Sequence, residues 1–255
     1  MSAPAPPIDV ATIPPITHDE GATLGEGAYD RLVAVFESLG PDDWAKPTDC
    51  EGWTVRHLAG HMVGAMRSAA SVREMISQQR EIGKRVKAEG RTTVDMMTTV
   101  QIDRTAALST AEVVAELRRL VPLAAKGRRK TPALMRKAMR FPVEMGSISE
   151  RWALGYLVDV ILTRDAWLHR VDLCRAVGAE MVMTPELDGR ILADVVAEWA
   201  RRHGRPFRLE LSGPAGGAFV SGSGGEEIGM DPIEFCRILS GRASGEGLLT
   251  QEVPF

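Results

Sequence analysis

Asp165, His169 and Asp172 stand at steps of four and three in RDAWLHRVDL. That spacing stacks side chains on one face of a helix. The surrounding stretch, roughly Glu150 to Val177, reads as one long helix. Its Leu154, Leu157, Val158, Ile161 and Leu168 mark an inward stripe. At ~100° per residue the two carboxylates and the imidazole fall within that stripe. A carboxylate on a core face costs several kcal/mol unless something compensates it. The compensation is a metal ion, a proton, or a salt bridge to an arginine or histidine of a facing helix.

A second group of candidates lies upstream. His57 and His61 form H-x-x-x-H in TVRHLAGHMVG, a spacing that can place two ligands on one ion. The glutamate of H-E-x-x-H is missing. His61 borders the apolar stripe of Val55, Leu58, Met62, Ala65 and Ala69, whereas His57 points further outward. His61 is therefore the functional candidate, and His57 takes a surface or first-turn role. Combined with Asp165 and His169, His61 makes a His-Asp-His set. Two imidazoles and one carboxylate leave coordination positions open, as in catalytic rather than closed structural sites. Asp172, one turn beyond His169, could orient that ring, although taken alone it reads as a surface or capping residue. The bland alternative is a buried Asp–His pair that only rigidifies the core, or Asp165 paired with Arg151 or Arg164.

These residues need helices to hold them. Residues 1–20, with Pro4, Pro6, Pro7, Pro14 and Pro15, read as an extended, flexible tail. A first helix spans about 22–39 and stops at Gly40-Pro41. Thr54 caps a second helix, which runs at least to Val72. Residues 73–108 read as polar helix with a break at Gly90, and Met96, Met97 and Val100 as packing residues. Ser109 and Glu112 make a capping box for a helix through Val113, Leu117, Leu120 and Val121, with a kink expected at Pro122. The basic run KGRRKTPALMRKAMR (126–140) reads as a solvated face, or less readily as a groove for an anion. Thr184 and Pro185 open another helix, which ends near His203-Gly204. FRLEL and GAFV read as strands joined by a turn, SGSGGEE as a loop, and Asp231-Pro232 as the start of a last helix ending at Gly241. The fold class expected is mainly α. It comprises a tail (1–20), a four-helix bundle (21–204) and a small α+β C-terminal domain (205–255).

Composition bounds the function. The 255 residues carry 31 basic and 34 acidic side chains, a net charge of −3, which argues against a dedicated nucleic-acid binder. Cys50, Cys174 and Cys236 form no C-x-x-C pair, which suits a reducing cytoplasm. No basic segment followed by an apolar run marks a signal peptide. The apolar run 152–162 is too short to span a bilayer and contains Asp159.

Three strings resemble one family. DWAKPTDCEGWTVRHLAGHMVG resembles the second-helix motif of the mycothiol-dependent maleylpyruvate isomerase family, within the DinB-like four-helix-bundle superfamily. RDAWLHRVDL resembles its second motif, and DPIEFCRILSGRASGEGLL resembles the end of its small C-terminal domain. The resemblance implies a DinB-like bundle and a divalent metal, with zinc the expected ion, on His61, Asp165 and His169. It also implies mycothiol as thiol cosubstrate, an electrophilic small-molecule substrate, and isomerase or S-transferase chemistry. Arg242, in the SGR string, is implied as the group that holds a substrate carboxylate. Two positions depart from the pattern: the acidic ligand is usually glutamate and here is Asp165, and Val171 replaces an aromatic residue. The enzyme is expected to be cytoplasmic, monomeric or homodimeric, and to bind neither nucleic acid nor membrane. The competing readings are a regulatory bundle with a structural ion, closed by His57 or Asp172, and a metal-free interaction domain.

Overall fold

The computed structural model describes residues 6–255; residues 1–5, part of the expected tail, lie outside the described residues. In chain order, β1 (Ile8–Asp9) precedes α1 (His18–Glu37), α2 (Val55–Ala70), α3 (Val72–Glu89), α4 (Thr93–Asp103) and α5 (Thr110–Arg129). A short α6 (Ala133–Ala138) leads into β2 (Arg140–Met145) and β3 (Ile148–Ala153). One turn, α7 (Leu154–Tyr156), and a π-helical turn at Leu157–Ile161 open α8 (Leu162–Val177). A second π-helical turn, Pro185–Gly189, precedes α9 (Arg190–His203). β4 (Phe207–Leu211), β5 (Gly217–Ser221), β6 (Glu226–Met230) and α10 (Pro232–Leu239) complete the fold, which is mainly α.

The chain forms two units, and their boundaries differ from those expected. One unit is Thr17–Met181; the other joins Val182–Phe255 to the described residues up to Ile16. The segment expected as tail is therefore structured from Ile8 onward. Ile8 and Asp9 pair in parallel with Phe219 and Val220 of β5, and Thr17 caps α1 in a capping box with Glu20. α9, expected to close the bundle, belongs to the smaller unit. There its Trp199 ring packs on Phe207 and Phe235, and its indole N–H donates to the Leu248 carbonyl at 3.1 Å. The sheet order is β1-β5-β4-β6, with β4 antiparallel to β5 and parallel to β6. FRLEL alternates as expected, Phe207, Leu209 and Leu211 inward. SGSGGEE is not all loop, because β6 begins at Glu226.

In the helical unit α1 packs on α5 and α8, while α2 packs on α5 and α8 from the other side. Leu32, Val33 and Phe36 of α1 meet Leu58, Met62 and Met66 of α2, Leu117 and Leu120 of α5, and Leu173 of α8. α2 stops at Ala70 rather than reaching Val72, because Ser71 turns extended and caps α3 through the Glu74 N–H. α5 continues through Pro122. The helix expected from residue 150 starts later. Residues 150–153 pair with β2 instead, from Arg140↔Ala153 to Met145↔Ile148. Alternation explains the difference: Ile148 and Trp152 are buried on β3, and Trp152 joins Val143 and Ile161 in a satellite core.

Three arginines of the basic run are engaged within the helical unit. Arg128 is buried, donating to the Val158 and Gly21 carbonyls at 2.9 Å and to Thr163 Oγ1 at 2.6 Å. Arg129 pairs with Glu26, and Arg136 with Asp159. Among the described residues, no helix is long and apolar enough to cross a membrane.

Two contacts lock α5 against α2, the helix that carries His61. At Gly127 an added Cβ would stand 1.9 Å from the Ala69 carbonyl oxygen. Gly127→Ala is expected to cost about 1–3 kcal/mol in urea unfolding; unchanged stability would contradict this packing. Glu116 accepts from Arg119 and from Arg67 of α2. Arg119, aided by Arg67, holds the Glu116 carboxyl down at about 2 against the opposing effect of burial. The folded value lies below the unfolded one. The contribution is therefore present above the usual carboxylate range and fades as pH falls through it. Glu116→Gln is expected to lower stability by less than ~1 kcal/mol at neutral pH. Thermal melts should show that gap closing on acidification.

Candidate metal centre

The centre is built from α2, α8 and the loop before α2. That loop is a tight hairpin. Thr48 N–H donates to the Trp53 carbonyl at 2.9 Å, Trp53 N–H to the Cys50 carbonyl at 3.0 Å, and Pro47 bridges to Thr54. It delivers Cys50 and Trp53 to the site. Thr54 then starts α2. Its hydroxyl accepts from the His57 N–H, and its own N–H donates to His57 Nδ1 at 3.1 Å. His57 is thus part of the helix cap, the first-turn role its position implies, and does not pair with His61.

One turn further, His61 points inward from α2 towards α8. His61 Nε2 lies 3.6 Å from Asp165 Oδ1, and His169 Nε2 lies 3.3 Å from the same oxygen. The two imidazole rings are 5.0 Å apart, centroid to centroid. Ligand atoms of His61, Asp165 and His169 all lie within 4.8 Å of one another, so one ion can be shared among them. The structure thus brings together the three residues singled out on the two helices. The imidazoles are 5% and 8% exposed and the Asp165 side chain 23%, so the centre opens to solvent on its carboxylate side. The Trp53 ring packs against both histidines at 5.3 and 6.0 Å and covers another side.

Both rings are held from behind. Asp172 is fully buried, and its Oδ2 lies 2.9 Å from His169 Nδ1. The Cys50 thiol donates to the same Asp172 oxygen at 3.4 Å. Cys50, His169 and Asp172 form a second cluster of possible ligand atoms, which shares His169. His61 Nδ1 lies 2.8 Å from the buried Gln101 Oε1. His61 Nε2 is buried and has no hydrogen-bond partner. Gln101, Cys50 and Trp53 are the members that motif reasoning did not single out. Cys50 and Trp53 lie inside the PTDCEGWTV string, but Gln101 sits in an unmarked polar stretch.

The electrostatics are those of a charge cluster. Burial opposes ionisation of Asp165, but the neighbouring His169 and His61 imidazoles outweigh it and hold the carboxyl well below its usual range. Burial also opposes the His169 cation, yet Asp165, Asp172 and Cys50 raise its pKa well above the ordinary histidine value. Without an ion, a proton on His169 offsets the carboxylates. Asp165 pairs with the two histidines rather than with Arg151 or Arg164. Arg242 lies in the other unit just past α10, where its N–H donates to the Arg237 carbonyl at 2.8 Å.

Residues 26–174, more than half of the chain, match the family described as the mycothiol maleylpyruvate isomerase N-terminal domain. That span contains His61, Asp165, His169, Asp172 and Gln101. Among solved structures, a mycothiol-dependent maleylpyruvate isomerase superposes with a TM-score of 0.53 at 18% identity, covering 96% of this chain and 97% of its own. A histidine-to-alanine mutant of a mycothiol-dependent maleylpyruvate isomerase gives a TM-score of 0.52 at 17% identity, with 92% of each chain covered. Likeness at that identity is likeness of fold. Among curated proteins none matches. The family match over this span and the shared fold lead to one conclusion: the chain belongs to the mycothiol maleylpyruvate isomerase family, a family of enzymes.

Proposed function

We propose that this chain is a metal-dependent enzyme that uses a small-molecule thiol, mycothiol, to act on an electrophilic small molecule as an isomerase or S-transferase. The observation that carries the reading is the buried His61 Nε2. It has no hydrogen-bond partner and faces the same Asp165 oxygen as His169 Nε2. Two ligand atoms about 2.0–2.1 Å from a tetrahedral ion are about 3.3–3.4 Å apart. The observed 3.3 Å equals that spacing and the 3.6 Å exceeds it by a few tenths of an ångström. His61, Asp165 and His169 would hold a divalent ion, zinc by the family resemblance, through two neutral nitrogens and one carboxylate. The ion's chemistry, when bound, is to lower the pKa of a thiol at an open position.

The chain's own residues do the rest. Asp165 contributes one negative charge and leaves the centre open on its own side, where the thiol enters. Asp172 keeps the proton of His169 on Nδ1, so that Nε2 faces the centre. Trp53 limits water at the opposite wall. In an isomerisation the thiol sulfur adds to one carbon of a conjugated double bond, rotation follows about the resulting single bond, and the sulfur leaves again. In a transfer the adduct is the product. Arg242 is the proposed partner of a substrate carboxylate, by a two-pronged guanidinium contact.

Elemental analysis of protein purified without added metal is expected to find about one ion per chain in the wild type. His169→Ala should carry almost none and lose mycothiol-dependent turnover while still unfolding cooperatively. No metal in the wild type after zinc reconstitution, or full turnover in His169→Ala, would overturn the proposal. Arg242→Ala is expected to raise KM for a carboxylate substrate at unchanged metal content. An unchanged KM would remove Arg242 from the site.

A further inference from the structure

We infer that Gln101 and Gln78 are positioning residues that set the tautomer of His61, through a relay of buried amides whose direction is dictated by a backbone carbonyl. The argument runs from the far end inward. Gln78 Nε2 lies 2.9 Å from the Gly64 carbonyl oxygen and 3.1 Å from Glu74 Oε1. A backbone carbonyl can only accept, and the Glu74 oxygen is already held by Arg104 at 2.9 Å. Gln78 must therefore present its NH2 group there, and both of its hydrogens are used. Its Oε1 is left to accept, and it accepts from Gln101 Nε2 at 3.3 Å. That orients the second amide as well: Gln101 Oε1 faces His61 Nδ1 at 2.8 Å and can only accept. A neutral His61 ring must then carry its single proton on Nδ1. Its Nε2 keeps a bare lone pair, buried and unpartnered, directed at Asp165. An amide drawn the other way round at any link would place two acceptors or two donors face to face.

The relay depends on the packing of α3, which carries Gln78, and α4, which carries Gln101. Gln78 is 2% and Gln101 3% exposed, so water does not substitute for either amide. α4 packs on α2 and α3. Its approach to α2 is possible because α2 has glycine at the two contact points. A Cβ on Gly60 would stand 2.5 Å from Thr105 Oγ1, and one on Gly64 would stand 2.4 Å from Gln101 Cβ. Gly64 thus both admits Gln101 and supplies the carbonyl that orients Gln78, and through it Gln101. His169 is oriented separately, by Asp172, so the centre has one charged and one neutral orienting partner. A neutral partner fixes the ring without adding a second negative charge behind it.

The inference deepens the metal reading above and rests on it for the purpose of the relay, but the tautomer can be read without any ion. Long-range 1H–15N spectra of the metal-free protein, at a pH where the His61 ring is neutral, are expected to show Nδ1 protonated and Nε2 bare. His61→Gln would assign the signals. A wild-type His61 protonated on Nε2 overturns the inference. The second readout is zinc affinity by chelator competition. Gln101→Met keeps the side-chain length but cannot hold the Nδ1 proton in this way, and should weaken zinc binding about 10- to 100-fold. Wild-type affinity and tautomer in Gln101→Met would also overturn the inference. A wild type with bare Nε2 that binds no zinc would refute the metal reading and leave the relay standing.

Discussion

A ring nitrogen sealed from water without a hydrogen bond costs on the order of 1–3 kcal/mol. His61 Nε2 is in that state, and much of the helical unit is arranged around it. α2 carries the ring inward, the PTDCEGWTV hairpin places Trp53 across it, α8 brings Asp165 and His169 to its open side, and α4 holds its other nitrogen. None of these contacts satisfies Nε2. A core that only needed rigidity could have filled this position with leucine at no such cost. In the function proposed above, that nitrogen is a binding group, kept ready by the packing of four separate segments.

The carboxylates of the long helix are treated in two ways. Asp159, on the π-helical turn, is bonded by His18 at 2.7 Å and by Arg136 at 3.0 Å. Arginine is a permanent cation, so that carboxylate is committed to joining α1 and α6 to the start of α8. Asp165 and Asp172 face His169, and Asp165 faces His61 as well. An imidazole, unlike a guanidinium, has a neutral form that can ligate an ion, so a carboxylate paired with it is not committed to one partner. The same helix thus spends one acid on architecture and two on a centre whose positive charge can be replaced. The π turn carries the first of these acids and precedes the other two, and its Val158 carbonyl is taken by the buried Arg128. Wide turns of this kind mark functional sites often enough for the placement to matter.

Much of this was readable from residue spacing. The apolar stripe of α2, the caps at Thr54, Ser109 and Asp231, and the inward direction of Asp165 and His169 all follow from the 3.6-residue period and from side-chain capping chemistry. What was not readable has identifiable causes. ISERWA alternates for only a few residues, too short to separate a strand from the first turns of a helix. The strand Ile8–Asp9 is two residues long and exists only because β5 offers an edge. α9 has a strong apolar stripe, but a stripe does not say which unit will cover it. Gln78 and Gln101 are uncharged and 23 residues apart in the chain, so no local pattern joins them. Their one sequence signal is the pair Gly60 and Gly64 flanking His61, which marks a close approach of another segment to that turn of α2.

Asp165 is where this chain departs from the glutamate that the resemblance leads one to expect, and the structure supplies a physical account of how the shorter side chain serves. A carboxylate one methylene shorter reaches less far from α8, so the partner rings must come to it. The His61 and His169 centroids are only 5.0 Å apart, and both Nε2 atoms lie within 3.6 Å of one Asp165 oxygen. That closeness depends on how each ring is held from behind: Gln101 presses His61 from the α4 side, and Asp172 anchors His169 from within α8 itself. The rings are thus placed by their outer partners, and the carboxylate meets them. In such a centre the tolerance for a shorter acid is set by the residues behind the histidines. The identities of Gln101 and Asp172 therefore bear on the choice of acid as directly as the backbone of α8 does.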